Sequence, residues 1–166
     1  MSKRWITGLA LVLSLTLELS AKDPKEQGFS GKWSLVKDGT HSTDPLPDLH
    51  QEIKVKGVDV TITNRFPEPA NGIAPLVFLG ILTTAIHLKT DGSEVTDQIG
   101  PFAYVSKTTL DGNTMTTDWH AVVNGDPVEG KWVRTVSDDG KQTTLQITET
   151  STKGQTGNAT LVFKRK

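Results

Sequence analysis

The sequence predicts an all-β protein: an antiparallel up-and-down barrel of about ten short strands with little helix. Three observations carry this. Runs of alternating apolar and polar residues recur between residues 32 and 164, the period-2 pattern of strands with one buried face. Gly follows Asp or Asn between such runs at Asp91-Gly92, Asp111-Gly112, Asn124-Gly125 and Asp139-Gly140, dipeptides suited to two-residue hairpin turns whose central positions need positive φ. Each hairpin so formed is apolar on one face only, and a sheet of many such strands removes its edges most simply by closing on itself. A two-sheet sandwich is the competing architecture, but its crossovers need longer connections than most of these.

The first 21 residues read as a signal peptide. Lys3 and Arg4 precede the apolar stretch from Trp5 to Leu17, and Leu19-Ser20-Ala21 offers small residues for cleavage. Glu18 interrupts the stretch, which is shorter than the roughly 20 residues of a membrane span, so a retained anchor is the alternative. A periplasmic or secreted protein with no span in its mature chain is therefore expected. No Cys occurs, which excludes lipid attachment at a cysteine and disulfide staples alike. Beyond residue 21 the chain carries 16 basic and 18 acidic residues over 145 positions, a formal charge of −2 and the length of one domain. That balance lacks the clustered Lys and Arg that nucleic acid requires, and the tail Lys164-Arg165-Lys166 is too short to supply it.

A flexible stretch over 22–28 leads into a first strand near Lys32–Lys37. The loop Asp38 to His50 holds Pro45 and Pro47, which allow a turn of helix at most. Strands near Gln51–Val55 and Val58–Arg65 follow, with Lys56-Gly57 turning so that Val55 stacks on Val58 and Ile53 on Val60. The run Ile73 to Ile86 is apolar, contains Pro75 and Gly80, and follows Arg65-Phe66-Pro67-Glu68-Pro69. It reads as a loop entering a buried strand, a short lid helix over the barrel mouth, or a contact patch for a protein partner or membrane surface.

Strands near Thr84–Thr90 and Ser93–Gln98 come next, the Asp91-Gly92 turn pairing Lys89 with Glu94 and Leu88 with Val95. Further strands are expected near Phe102–Leu110, Thr114–Val123, Pro127–Ser137, Gln142–Thr150 and Ala159–Lys164. A two-residue turn at 124–125 fixes the register of its hairpin. Val123 pairs with Asp126, Ala121 with Val128, Trp119 with Gly130 and Thr117 with Trp132, and on the other face His120 meets Glu129 and Asp118 meets Lys131. The charged pairs mark the outer face, so Met115, Thr117, Trp119, Val128, Trp132 and Arg134 point inward. The Asp139-Gly140 turn independently sets Arg134 against Leu145 and Trp132 against Ile147, on the same inner face.

The opening Phe29-Ser30-Gly31-Lys32-Trp33-Ser34-Leu35 resembles the Gly-x-Trp start of the calycin group, the lipocalins and fatty-acid-binding proteins. The run Asp138-Asp139-Gly140-Lys141 through Leu145, with Lys153-Gly154-Gln155 after it, is similar to secreted bacterial lipocalin-like domains. Together the resemblance covers roughly residues 29–166 and implies a lipocalin-like barrel, with Trp33 packed structurally across one end. Two departures stand out. The fatty-acid-binding proteins carry two helices between their first two strands, where this chain has only Asp38 to His50. Their last strand clamps a carboxylate with Arg-x-Tyr, where this one reads Leu161-Val162-Phe163-Lys164-Arg165-Lys166.

The candidate ligand-binding set is Tyr104, Met115, Trp119, Trp132, Arg134 and Glu149. Trp119 and Trp132 read either as core or as ligand contacts, because barrels of this size are filled by side chains or hold one small ligand. An inward Arg134 reads as half of an internal pair with Glu149, as a rim residue, or as an anchor for an anionic ligand. His41, Asp44, Asp48 and His50 are the only dense group of metal-ligand types, in a loop where polar residues are ordinary, and neither metal nor cofactor is expected. Gly28-Phe29-Ser30-Gly31 lacks the last spacing of a nucleophile elbow, and Asn158-Ala159-Thr160 matches a glycosylation acceptor by letter alone. Aromatics and one cation on an inner face suit a small, mainly apolar or amphipathic guest, bound or carried without catalysis. A plugged barrel acting through its surface is the alternative. An acid–base pair drawn from distant strands, such as Tyr104 with Glu149, would make it an enzyme.

Overall fold

The computed structural model describes residues 28–42, 46, 48–66, 85–99 and 101–166, and the statements below concern these residues. The expected signal peptide, residues 22–27 and the run Ile73–Ile86 up to residue 84 lie outside them. Gly28 and Phe29 are helical, and the remaining regular structure is ten strands. These are β1 (Gly31–Ser42), β2 (His50–Lys56), β3 (Asp59–Arg65), β4 (Ala85–Lys89), β5 (Asp91–Ile99), β6 (Phe102–Asp111), β7 (Thr114–Val123), β8 (Asp126–Val136), β9 (Gln142–Ser151) and β10 (Thr156–Arg165). They form one antiparallel sheet in the order β4-β3-β2-β1-β10-β9-β8-β7-β6-β5, so the sheet curls into a barrel that closes everywhere but between β4 and β5.

The Asn124-Gly125 hairpin has the expected register, Val123 opposite Asp126 through Thr117 opposite Trp132. Its turn places both central residues at positive φ, 51° and 79°. Arg134 opposes Leu145 and Trp132 opposes Ile147, as the next turn requires. The expected charge pairs stand on the outer face, where Lys131 and Asp118 approach to 3.2 Å and His120 lies opposite Glu129.

Two turns differ from expectation. At the β2–β3 hairpin Lys56 opposes Asp59, Val55 opposes Val60 and Ile53 opposes Ile62, because the chain turns on Gly57-Val58 rather than Lys56-Gly57. A two-residue slip keeps the apolar face inward and leaves Val58 43% exposed at the tip. The second correction is larger: β4 and β5 are not a hairpin, and neither Lys89–Glu94 nor Leu88–Val95 is a ladder pair. The Asp91 carboxylate accepts from the Ser93 amide and hydroxyl, making a local turn that bulges β5 as it begins to pair with β6. Thr90 meanwhile donates its N–H to Val58 O, holding the end of β4 against β3.

The open seam is bridged by side chains. Asp97 on β5 accepts the His87 backbone N–H at 2.9 Å and lies 2.9 Å from the His87 Nδ1, standing in for the missing ladder at that point.

One end of the barrel is closed by the Gly-x-Trp segment. Trp33 is wholly buried and donates its indole N–H to Phe29 O. Arg165 lies over the Trp33 ring at 4.3 Å and donates to Gly140 O, Ser30 O and Gly28 O, each at 2.7 Å. A side chain at Gly31 would collide with that guanidinium, its ideal Cβ lying 2.5 Å from Arg165 Nη1. Arg165 thus belongs to the barrel's closure, not to a loose basic tail. β1 also runs further than expected, past a bulge at which Val36 opposes Val162 but His41 opposes Thr160. The Thr40 hydroxyl replaces the lost ladder bonds by donating to Val36 O and accepting the Val162 N–H.

Candidate functional site

Every residue of the predicted site reaches the barrel interior. Tyr104 on β6, Met115 and Trp119 on β7, Trp132 and Arg134 on β8 and Glu149 on β9 are all buried. Period-2 alternation accounts for this, because Trp119, Trp132 and Glu149 occupy inner positions on three successive strands. The Trp119 and Trp132 ring centroids lie 5.6 Å apart at 38°, and Tyr104 and Trp132 lie 6.2 Å apart at 56°. Gly130 lets this cluster form. It opposes Trp119 on one side and Glu149 on the other, and the Trp119 indole covers it, leaving no room for a Cβ. Trp119 therefore lies across β8 toward Glu149.

The interior polar groups fall into two sets. In the first, Arg134 donates from Nη2 to Gln51 Oε1 at 3.0 Å, and Gln51 donates to Asn64 Oδ1 at 2.8 Å. The guanidinium also sits 5.4 Å from the Phe163 ring centroid. Burial lowers its pKa to about 10, so it stays charged at neutral pH. Arg134 and Glu149 do not form the internal pair that one reading of the sequence allowed. Leu145, the partner of Arg134, is four residues from Glu149 along β9, roughly 13 Å at about 3.3 Å per residue.

In the second set the polar atoms have no partner. Tyr104 Oη, Ser106 Oγ, Trp119 Nε1, Trp132 Nε1 and both carboxyl oxygens of Glu149 are buried without a hydrogen bond among the described residues, as are Arg134 Nη1 and Thr143 Oγ1. Burial pushes the Glu149 carboxyl up to about 8, so the group is largely neutral at pH 7. Burial, followed by the charge of nearby Asp97, pushes the Tyr104 phenol well above its ordinary range. Tyr104 and Glu149 are not hydrogen-bonded to each other, and no acid–base pair joins them.

The interior is nearly full. A cavity of about 30 Å³ remains between Gln51, Met115, Thr117, Trp132, Arg134 and Ile147, the size of one or two waters and far below the roughly 300–1,000 Å³ of ligand pockets. The larger hollow, about 550 Å³, lies mainly over the outer face of β5–β9. There Glu94 pairs with Lys107 and Asp118 with Lys131, and Glu129 and His120 complete the charged and titratable lining. Among the described residues no group of three His, Cys, Asp or Glu could hold a metal ion. Asp44 lies outside those residues, and His50 Nδ1 is 3.1 Å from Ser34 Oγ.

Three solved structures share this topology. Zebrafish ileal bile acid-binding protein, crystallised with cholic acid, is similar with a TM-score of 0.56 and 15% identity over 84% of this chain and 99% of that one. A secretory abundant heat soluble protein from Ramazzottius varieornatus gives 0.54 and 15%, over 84% and 96%. Secretory abundant heat soluble protein 4 from the same organism gives 0.53 and 16% over the same shares. No protein-family model matches the sequence, and no curated protein matches it either. The fold is thus a calycin-like β-barrel, the class that the Gly31-x-Trp33 opening resembles.

Proposed function

We propose that the protein binds a small molecule, apolar in body and carrying polar groups, inside its barrel and without catalysis. The observation that carries this reading is the set of six unpartnered polar atoms on Tyr104, Ser106, Trp119, Trp132 and Glu149. Each such atom costs about 1–3 kcal/mol when buried unpaired, and a barrel filled only for stability would carry apolar side chains there. Convergent polar groups on an aromatic wall are what a binding site supplies to orient a guest. The zebrafish protein of the same topology was crystallised with cholic acid, which agrees with this reading. The 30 Å³ cavity lies beside Trp132 and Arg134 and is not lined by Tyr104, Ser106, Trp119 or Glu149, so the side chains around those groups must shift to admit a guest. Lys3, Arg4 and the apolar stretch after them support a location in the cell envelope or outside the cell.

The small cavity favours a second reading: a filled barrel acting through its surface, with the apolar run Ile73–Ile86 as the contact for a protein partner. Titration with N-phenyl-1-naphthylamine, a neutral probe that brightens in apolar sites, separates the two. Saturable binding that weakens at least tenfold in Trp132→Ala, with an unchanged circular dichroism spectrum, supports the interior site. No binding, or equal binding by the variant, supports the filled barrel.

A further inference from the structure

Glu149 is the least explained group in the molecule. It is 2% exposed, both its oxygens lack partners, and Arg134, the one buried arginine among the described residues, turns its Nη2 to Gln51 and lies over Phe163. Its surroundings are aromatic. Gly130 beside it is roofed by the Trp119 indole, Trp132 is two residues along the same strand, and Tyr104 packs on Trp132. Aromatic faces carry negative charge density and attract cations, most strongly where water is excluded. A carboxylate inside such a wall has two acceptor oxygens and no donor with a positive charge.

We infer that Glu149, with Tyr104, Trp119 and Trp132, forms a site for an organic cation: an ammonium group on an apolar body, its N–H groups given to the Glu149 oxygens and its charge facing the rings. This rests on the interior-binding reading above and names the ligand class. An anionic guest would meet the same carboxyl with no cation at hand, since Arg134 sits roughly 13 Å further along the strands.

Other titratable groups facing the interior do not substitute for the guest's charge. On β5, Asp97 opposes Tyr104 and adds a negative charge near its phenol, but its carboxylate is engaged by the His87 backbone N–H and ring at 2.9 Å each. Tyr104 is the only titratable group facing in from β6, and the inner positions of β7 and β10 carry none. On β8, Asp126 accepts from the Thr152 hydroxyl at 2.6 Å and Arg134 is held by Gln51. A protonated amine therefore favours the ionised form of Glu149, and binding is linked to loss of the Glu149 proton. With the empty group titrating near 8, the ionised fraction rises about tenfold between pH 7 and pH 9, while a primary amine stays largely protonated.

The test is calorimetric titration of the protein with 2-phenylethylamine, 2-phenylethanol and phenylacetate, which share an aromatic body and differ in head group. The amine is expected to bind most tightly, to gain about tenfold in affinity from pH 7 to pH 9, and to lose tenfold or more in Glu149→Gln, while the alcohol is unaffected by either change. Preference for the alcohol or the acid, or an amine affinity indifferent to pH and to Glu149→Gln, overturns the cation site and leaves interior binding standing. Failure of all three probes, together with failure of the neutral naphthylamine, overturns both.

Discussion

Gly130 and Trp119 occupy one another's space: a Cβ on Gly130 would lie 2.6 Å from two ring carbons of the indole and 2.7 Å from its nitrogen. The glycine is a packing requirement of the interior, since its φ lies in the ordinary negative range. Gly130→Ala must displace the indole and, with it, the Trp119–Trp132 contact. The expected cost is about 1–3 kcal/mol, the range for overpacked cores. Urea unfolding measures the loss, and a changed tryptophan emission in the folded state reports the displaced ring.

The closed end depends on Arg165 as much as on Trp33. Three backbone carbonyls accept from its guanidinium while its plane covers the indole, a geometry that a lysine cannot reproduce. Arg165→Ala and Arg165→Lys are both expected to destabilise, by about 2–4 kcal/mol for alanine given charge-assisted bonds of about 1.5–3 kcal/mol each. Full rescue by lysine, seen in the same unfolding experiment, would refute this role.

Glu149 makes stability depend on pH in a direction opposite to most carboxylates. Its folded pKa of about 8 lies above its ordinary 4.5, so the folded state keeps a proton that the unfolded chain has already lost in that window. Stability therefore falls as pH rises from about 4.5 to 8 and levels off above. Glu149→Gln removes the dependence, and its advantage over the parent should grow to a few kcal/mol by pH 8.5. Thermal melts of both proteins at pH 5, 7 and 8.5 check this. A constant difference would contradict it.

Among the described residues, β5 is joined to β4 at the seam by the Asp97 carboxylate, which accepts the His87 backbone N–H. Asp97→Ala should leave the global fold intact, cost about 1 kcal/mol, and raise amide exchange at His87 and its β4 neighbours tenfold or more. Exchange unchanged at His87 would show that something else holds the seam.

Much of the barrel is legible in the sequence because its signals are local. Asn124-Gly125 fixes a turn type, and a turn type fixes register, so Trp119, Trp132 and Arg134 could be placed inward without coordinates. The failures have separate causes, two local and the rest long-range. At Asp91 a side chain bonds its own backbone, and this outcompetes the hairpin that the dipeptide otherwise favours. At Lys56-Gly57 the residue before the glycine is not one that tolerates positive φ, so the turn moves one residue on. The Arg165 clamp and the bond from Val162 N–H to the Thr40 hydroxyl span 25 to 137 residues, and no spacing rule reaches them. At Glu149 alternation gave the inward direction, but only the assembled barrel shows that Arg134 is too distant to pair with it.

Native mass spectrometry of the protein purified without denaturation tests the central claim, that the unpartnered interior groups serve a guest. A discrete adduct of a few hundred daltons is expected, present as isolated or after exposure to a lipid and metabolite extract, and lost in Trp132→Ala. A clean mass under both conditions would contradict it and leave a barrel filled for structure alone.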